Sequence, residues 1–207
     1  MNDTPRRGRG RPRGTGKVGR ADIVAGAVDA LANGGYRALS MRGVARQLGV
    51  SLSSVQHHFP TKDDLWRAAV DRLTDEAIER RRHDDLRNLQ GSIAAALKEQ
   101  ASRPGLIAAL LTDTDVGSEE RIAYLASCFT RMLAEPTTHL RALQRSGVVR
   151  PVDTSAFFAL MTIGMGAIAG AGHAFEAIYG FDVTTDVGRD LLATELADIL
   201  SLGLRER

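Results

Sequence analysis

The sequence predicts an all-α fold with enough apolar residues to form a core. Of its 207 residues, 43% are hydrophobic and 5% are aromatic, and the alternating β-branched runs that would indicate strands are scarce. Apolar residues recur instead at helical spacing through stretches rich in Ala, Leu, Arg and Asp. The length suits one compact unit or a small domain joined to a larger one.

The N-terminal arm, residues 1–19, differs from the rest of the chain in charge. The whole chain carries a formal net charge of +2, yet residues 1–20 hold seven basic side chains against one acidic side chain. The arm contains almost nothing apolar to bury, so we expect it to be disordered in isolation. Its segment with Arg9, Arg11 and Arg13 resembles the AT-hook motif, an extended basic element for A·T-rich minor grooves. The alternative is a basic tail that binds phosphates without preference, and both imply affinity for DNA.

Two helices follow the arm. The first begins at Ala21 and ends at Gly34 and Gly35, where a left-handed C-terminal cap is easy. Ser40 is a good N-cap for the second helix, whose apolar residues follow the i, i+3, i+4, i+7 spacing. Gly49 then ends this helix.

A third short helix completes a helix-turn-helix pattern. Ser51 can cap this helix, Pro60 forces a break soon after His58, and Val55 and Phe59 can pack inward. An apolar scaffold helix, a Gly turn and a short helix with a polar outer face form the layout that enters a DNA major groove. A core helix pair with a solvated face is the alternative.

The outward side chains of the third helix have groups that can read base edges. These candidates are Leu52, Ser53, Ser54, Gln56 and His57. Gln can form two hydrogen bonds with an adenine edge, and Leu can contact a thymine methyl group. His57 and His58 do not suggest a metal site, because adjacent helical residues point about 100° apart and no Cys or carboxylate completes a ligand set.

Helical patterns continue to the C-terminus. Thr61 followed by Asp64 resembles a capping box and opens a long fourth helix. Pro136 is expected to kink one of the later helices. Those later helices are predicted at about 87–101, 104–113, 118–146, 153–178 and 186–204.

The apolar stretch 156–175 raises a single transmembrane helix as an alternative, since it holds Gly166 and Gly170 at GxxxG spacing. Thr162 and His173 weaken this interpretation, and small residues also allow close helix packing in a dimer interface. We therefore predict no association with a membrane.

The sequence contains no recognisable motif of an enzyme active site. No P-loop, metal-ligand cluster or nucleophile–base spacing occurs in the sequence, and Cys128 and His139 would lie about 16 Å apart along a helix axis. The single cysteine cannot form an internal disulfide, and the N-terminus lacks the features of a secretory signal. We predict a cytoplasmic protein that is not an enzyme and that has no catalytic residues, metal or cofactor.

The strings LSMRGVARQLGVS and VQHHFPTKDDL, in this order, resemble the tetracycline-repressor (TetR) family of bacterial regulators. The match runs from about Arg20 to Leu73, and beyond residue 80 it is architectural only. The resemblance implies a three-helix DNA-binding domain over 20–66 and a helical effector-binding and dimerisation domain over 67–207. It implies a homodimeric repressor that a small effector releases from a palindromic operator. A DNA-binding regulator without a small-molecule ligand is the alternative.

The resemblance also implies roles for individual residues. Ser40 and Arg42 would contact phosphate or base, and Lys62 would bind a phosphate. The residues implied for the recognition helix are Ser53, Ser54, Gln56, His57 and His58. The family usually has Tyr at the position of Gln56, so we expect a different preferred operator.

Two further sets are expected in the larger domain. Aromatic and Met side chains on neighbouring helices can enclose an apolar or amphipathic effector, although core packing is the alternative role for each of them. These candidates are Tyr124, Phe129, Met132, Phe157, Met161 and Met165. The last two helices are expected to pack against a partner copy, and the interface candidates are Gly166, Gly170, Leu192 and Leu196.

Overall fold

The predicted all-α fold is confirmed. The computed structural model describes residues 18–81, 89–102, 119–164, 172–183 and 185–204, and within these ranges the chain forms helices and turns without a strand. The predicted helix at 104–113 lies outside the described residues. The α-helices are α1 (Arg20–Ala32), α2 (Gly35–Ala38), α3 (Met41–Gln47), α4 (Leu52–His58), α5 (Lys62–Arg81), α6 (Leu89–Ser102), α7 (Glu119–Arg145), α8 (Thr154–Ala159), α9 (Gly172–Tyr179) and α10 (Asp186–Leu204).

The end of α1 differs from the prediction. Its C-cap is Asn33, which has right-handed backbone angles (φ −87°), and the left-handed conformation occurs two residues later at Gly35 (φ 64°). The chain then forms the short helix α2, which the sequence pattern did not indicate. This extra turn leads Leu39 into the core, where it is buried.

The caps predicted for α3 and α4 are confirmed. The hydroxyl of Ser40 accepts a hydrogen bond from the Gly43 N–H at 3.3 Å, and that of Ser51 accepts one from the Ser54 N–H at 3.1 Å. These bonds satisfy N–H groups that have no partner within the helix. Gly49 ends α3 with a φ of 67°, a conformation that glycine adopts without a steric cost.

A first hydrophobic cluster holds α1, α3 and α4 against α5. The cluster continues past residue 66 to Leu73 and also contains Leu125 and Cys128 of α7. The predicted domain boundary at residue 66 lies inside α5. Apolar residues on both sides of it, from Leu65 to Leu73, pack in this one cluster. The buried members are Ile23, Val24, Ala27, Leu31, Leu39, Val44, Ala45, Val55, Phe59, Leu65, Trp66, Ala69, Val70, Leu73, Leu125 and Cys128.

A second hydrophobic cluster joins α6, the later part of α7 and α10. The backbone N–H of Arg150 donates to the Leu204 carbonyl at 2.8 Å, and its Nε donates to the Gly203 carbonyl at 2.6 Å. These bonds satisfy carbonyls at the end of α10 and hold it to the segment after α7. The buried members are Ile93, Leu97, Leu140, Val149, Met161, Val183, Leu192, Ala193, Ala197 and Leu204.

The predicted helix at 153–178 is interrupted. Asp153 caps α8 by accepting from the Ala156 N–H at 2.7 Å, and a π-helical turn follows at Leu160–Gly164. Residues 165–171 lie outside the described ranges, and α9 then covers Gly172–Tyr179. Pro136 lies within α7. No helix in the described ranges combines the length and the hydropathy needed to cross a membrane.

Candidate nucleic-acid interface

Helix α4 separates a buried anchor from a polar surface. Val55 and Phe59 are only 0% and 2% exposed and belong to the first cluster. Leu52 is half-buried, whereas the polar side chains around it are exposed. These exposed residues are Ser53, Ser54, Gln56, His57 and His58. The helix is thus held from one side and presents hydrogen-bonding groups on the other, as a helix that reads a DNA groove must do.

The turn between α3 and α4 is short and closed by backbone hydrogen bonds. The Gly49 N–H donates to Arg46 at 3.2 Å, and the Val50 N–H donates to Ala45 at 3.0 Å. A Cβ atom at Gly49 would meet nothing within 4 Å. The left-handed backbone, and not a lack of space, therefore makes glycine suitable at this turn.

The other predicted contacts lie at the starts of α3 and α5. Ser40 and Arg42 are both exposed. The hydroxyl of Ser40 accepts from Gly43, which leaves its O–H available as a donor to a phosphate oxygen. His57 and His58 pack edge to face with ring centroids 5.4 Å apart. Among the described residues, no three His, Cys, Asp or Glu side chains are grouped closely enough to hold a metal ion.

Lys62 lies at the first position of α5, against an aromatic ring that sequence reasoning missed. Its Nζ is 3.8 Å from the centroid of the Tyr36 ring. Thr61 and Asp64 cap the same helix reciprocally, with the Thr61 N–H donating to the carboxylate at 3.0 Å and the Asp64 N–H donating to the hydroxyl at 3.1 Å. This capping box was predicted. The ring partner was not, because Tyr36 is remote from Lys62 in sequence.

Arg20 is a second cation beside α4. It is the first residue of α1, and its guanidinium lies 4.8 Å from the centroid of the Phe59 ring, at the end of α4. Arg20 is exposed. The arm residues Arg9, Arg11 and Arg13 lie outside the described residues.

The candidate effector residues fall into two regions. Tyr124 packs against the first cluster, with its ring centroid 5.8 Å from that of Trp66. Burial and a hydrogen bond with Asp71 raise the pKa of Tyr124 above its usual range. Phe157 and Met161 instead belong to the second cluster. Phe129 and Met132 are half-buried on α7, and Met165 lies outside the described residues. The described contacts therefore do not bring Tyr124 together with Phe157 and Met161.

The candidate dimer residues face the chain's own core where they are described. Leu192 is buried in the second cluster and Leu196 packs against it, while Gly166 and Gly170 lie outside the described residues. Other large apolar side chains of α10 are exposed. They are Val187, Leu191, Ile199 and Leu202. Helical spacing alone missed them, because it does not tell which of two apolar faces packs within the chain.

Comparisons with known proteins agree with this geometry. Residues 23–69, which include α3 and α4, match the family described as bacterial regulatory proteins, tetR family. No curated protein sequence matches the chain.

Solved structures of transcriptional regulators share the fold over most of the chain. A regulator from Saccharomonospora viridis in complex with choline is 18% identical, covers 91% of this chain and 98% of its own, and has a TM-score of 0.68. FadR from Bacillus subtilis in complex with stearoyl-CoA is 16% identical, with coverages of 89% and 99% and a TM-score of 0.66. SCO4942 from Streptomyces coelicolor is 23% identical, with coverages of 87% and 97% and a TM-score of 0.65. Residues 23–69 are therefore similar to the tetR family of bacterial regulatory proteins, and the chain shares its fold with solved transcriptional regulators.

Proposed function

We propose that this chain forms a homodimeric repressor of transcription. Its two α4 helices read a palindromic operator, and binding of a small molecule lowers its affinity for DNA. The observation that carries the proposal is the division of α4 into a buried anchor, Val55 and Phe59, and an exposed polar face. The role requires no catalysis. Because the partner is operator DNA, we place its action in the cytoplasm.

The base contacts are assigned to the exposed face of α4. The side-chain oxygen of Gln56 can accept from the adenine N6 amino group while its NH2 group donates to N7, and Leu52 can contact a thymine methyl group. His57 and His58 add exposed ring nitrogens, and Ser53 and Ser54 add hydroxyl groups.

The phosphate contacts are assigned to the two flanking helix starts and to the arm. Ser40 and Arg42 are exposed at α3, and Lys62 lies at the start of α5. Arg20 adds a cation at the start of α1, where the arm that carries Arg9, Arg11 and Arg13 ends in the sequence. Contacts of this type position a protein on the duplex, whereas base contacts specify the sequence.

The dimer is supported by an apolar surface on α10. Val187, Leu191 and Leu202 lie within about 60° of one another around the helix axis, and they are 80%, 47% and 64% exposed. Ile178 and Tyr179 of α9 are exposed as well. A monomer rarely exposes large apolar groups together, and two recognition helices are needed to read half-sites about 34–36 Å apart. We therefore assign this surface to a second copy of the chain.

The effector is assigned to the helical region beyond α5. Two regulators with this fold are complexes with choline and with stearoyl-CoA, which supports a small amphipathic ligand here. Phe157 and Met161 remain lining candidates from the second cluster, whereas Tyr124 is tied to the first. A regulator without a ligand is the second candidate, and it would keep its operator affinity in the presence of every compound tested.

Genome-wide mapping of bound DNA tests the proposal. We expect a small set of sites that share one palindrome, and we expect purified protein to protect both half-sites from cleavage. A matched protein with Gln56→Ala and His57→Ala, checked for native helicity by circular dichroism, should lose those sites. Binding spread evenly over the genome would reject sequence-specific regulation, and protection of a single half-site would reject the dimer.

A further inference from the structure

We propose that Arg121, on the long helix α7, is a positioning residue for DNA binding. It holds the Tyr36 ring against which Lys62 lies, so that a residue outside the helix-turn-helix sets the direction of a phosphate contact. This inference rests on the proposed function of Lys62 as a phosphate ligand.

Arg121 contacts both members of a hydrogen-bonded pair. Its Nη1 lies 3.3 Å from Oδ1 of Asp63, and its guanidinium lies 4.2 Å from the centroid of the Tyr36 ring. The Tyr36 hydroxyl donates to the same Oδ1 atom at 2.7 Å. The Arg121 side chain is only 16% exposed. Its planar guanidinium can satisfy the carboxylate and lie over the ring at once, which a lysine ammonium cannot do in the same way.

The Tyr36 ring in turn touches Lys62. The Nζ atom of Lys62 lies 3.8 Å from the ring centroid, close enough for a cation–π interaction. Tyr36 also packs edge to face with Trp66, which is buried in the first cluster. Without Arg121 the ring keeps its contacts with Trp66 and Asp63 but loses the guanidinium, and we expect its position, and with it that of the Lys62 ammonium group, to change.

The same pair of helices offers a matched control. Arg131 of α7 also bridges to α5, with Nη2 3.3 Å from Asp71 and 3.4 Å from Asp75. Asp71 lies about 12 Å further along α5 than Asp63. Arg121→Gln thus removes one α5–α7 ion pair and Arg131→Gln removes two, but only Arg121→Gln removes the contact with Tyr36.

Operator affinity measured over a range of salt concentrations tests the proposal. Loss of one phosphate contact makes the slope of log affinity against log salt shallower by about 0.9. For Arg121→Gln we expect this change, so its affinity deficit shrinks about 3.5-fold between about 50 and 200 mM salt. Arg131→Gln should keep the wild-type slope. The double variant with Arg121→Gln and Lys62→Ala should have the same salt slope as the variant with Lys62→Ala alone.

An NMR measurement on the DNA-free protein makes the inference independent of operator binding. The ε-methylene protons of Lys62, lying over the ring, should be shifted upfield by the ring current of Tyr36. We expect the shift to vanish in Arg121→Gln and to persist in Arg131→Gln. If it persists in both, or vanishes in both, Arg121 is not a positioning residue, even where Arg121→Gln is less stable. A wild-type protein that shows the shift but binds no operator would reject the proposed function and not the geometry.

Discussion

At the scale of single residues, the two faces of α4 are set by the direction in which each side chain points. Val55 and Gln56 are neighbours in sequence, yet the first is buried and the second exposed. Successive residues of an α-helix are rotated by about 100°, so adjacent positions take opposite roles. The anchoring residues and the exposed residues proposed to read bases are thereby separated within two turns of helix.

Gln56→Ala should alter the base preference of the protein, whereas Lys62→Ala should weaken all sites alike. A lost specific base contact costs about 1–3 kcal/mol at the affected base pair, and a lost phosphate contact lowers the salt slope by about 1. Binding-site selection followed by titration at several salt concentrations distinguishes the two. An unchanged ranking of operator variants for folded Gln56→Ala protein would remove Gln56 from the recognition set.

At the scale of elements, α10 shows how a helix start constrains one glycine. Thr185 precedes α10, and its hydroxyl accepts from the Gly188 N–H at 3.1 Å while donating to the Asp182 carbonyl at 2.8 Å. The chain before the helix thus folds back over Gly188, and an added Cβ atom there would overlap the Asp182 carbonyl. Gly203, in the same helix, has nothing within 4 Å of an added Cβ atom.

Gly188→Ala should therefore destabilise the protein, and Gly203→Ala should not. A clash with backbone costs about 1–3 kcal/mol, whereas Gly→Ala at an unhindered helical site stabilises by about 0.4–1 kcal/mol. Urea unfolding followed by circular dichroism measures both changes. Equal midpoints for the two variants would contradict the packing of residue 182 against α10.

At the scale of the whole molecule, two hydrophobic clusters share one long helix. Leu125 and Cys128 of α7 belong to the first cluster, while Leu140 of the same helix belongs to the second. Helix α7 therefore links the region that carries α4 to the region that includes α10.

Charges placed on the exposed apolar surface of α10 should separate the subunits. In Leu191→Glu/Leu202→Glu protein, two carboxylates of each subunit would have to be buried at the interface, and each 1.4 kcal/mol of that cost weakens dimerisation about tenfold. Operator affinity should fall with it. Val148→Glu is the control, because Val148 is 55% exposed but lies outside α10. Sedimentation equilibrium measures the oligomeric state of each variant. A double variant that remains dimeric would place the interface elsewhere.

Removal of residues 2–16 should weaken DNA binding and leave the dimer intact. The deletion removes five arginines, and if three of them neutralise phosphates, the salt slope becomes shallower by about 2.7. The intact protein should also gain more from A·T-rich flanks, because a narrow minor groove attracts arginine. Titrations of both forms on A·T-rich and G·C-rich flanks measure this. Identical slopes would exclude the arm from DNA binding, and a changed slope without flank preference would leave a basic tail.

The sequence by itself determined most of the described helices and the candidate recognition surface. Caps such as Ser40, Ser51 and Thr61, and the helix end at Gly49, act through bonds and backbone angles within a few residues, so the local pattern is sufficient to predict them. The polar face of α4 follows from helical periodicity in the same way. The interrupted helix after Asp153 was not predicted, because a π-helical turn adds a residue to the repeat without a distinct sequence signal.

Only the tertiary structure decided which helices share a core and which side chains meet across it. Tyr36, Lys62 and Arg121 are far apart in the chain, and Leu191 and Leu192 are indistinguishable by residue type although only Leu192 is buried. The hydrophobic effect is non-directional, so an apolar pattern states that a face is buried without stating against which partner. That choice depends on the packing of the complete set of helices.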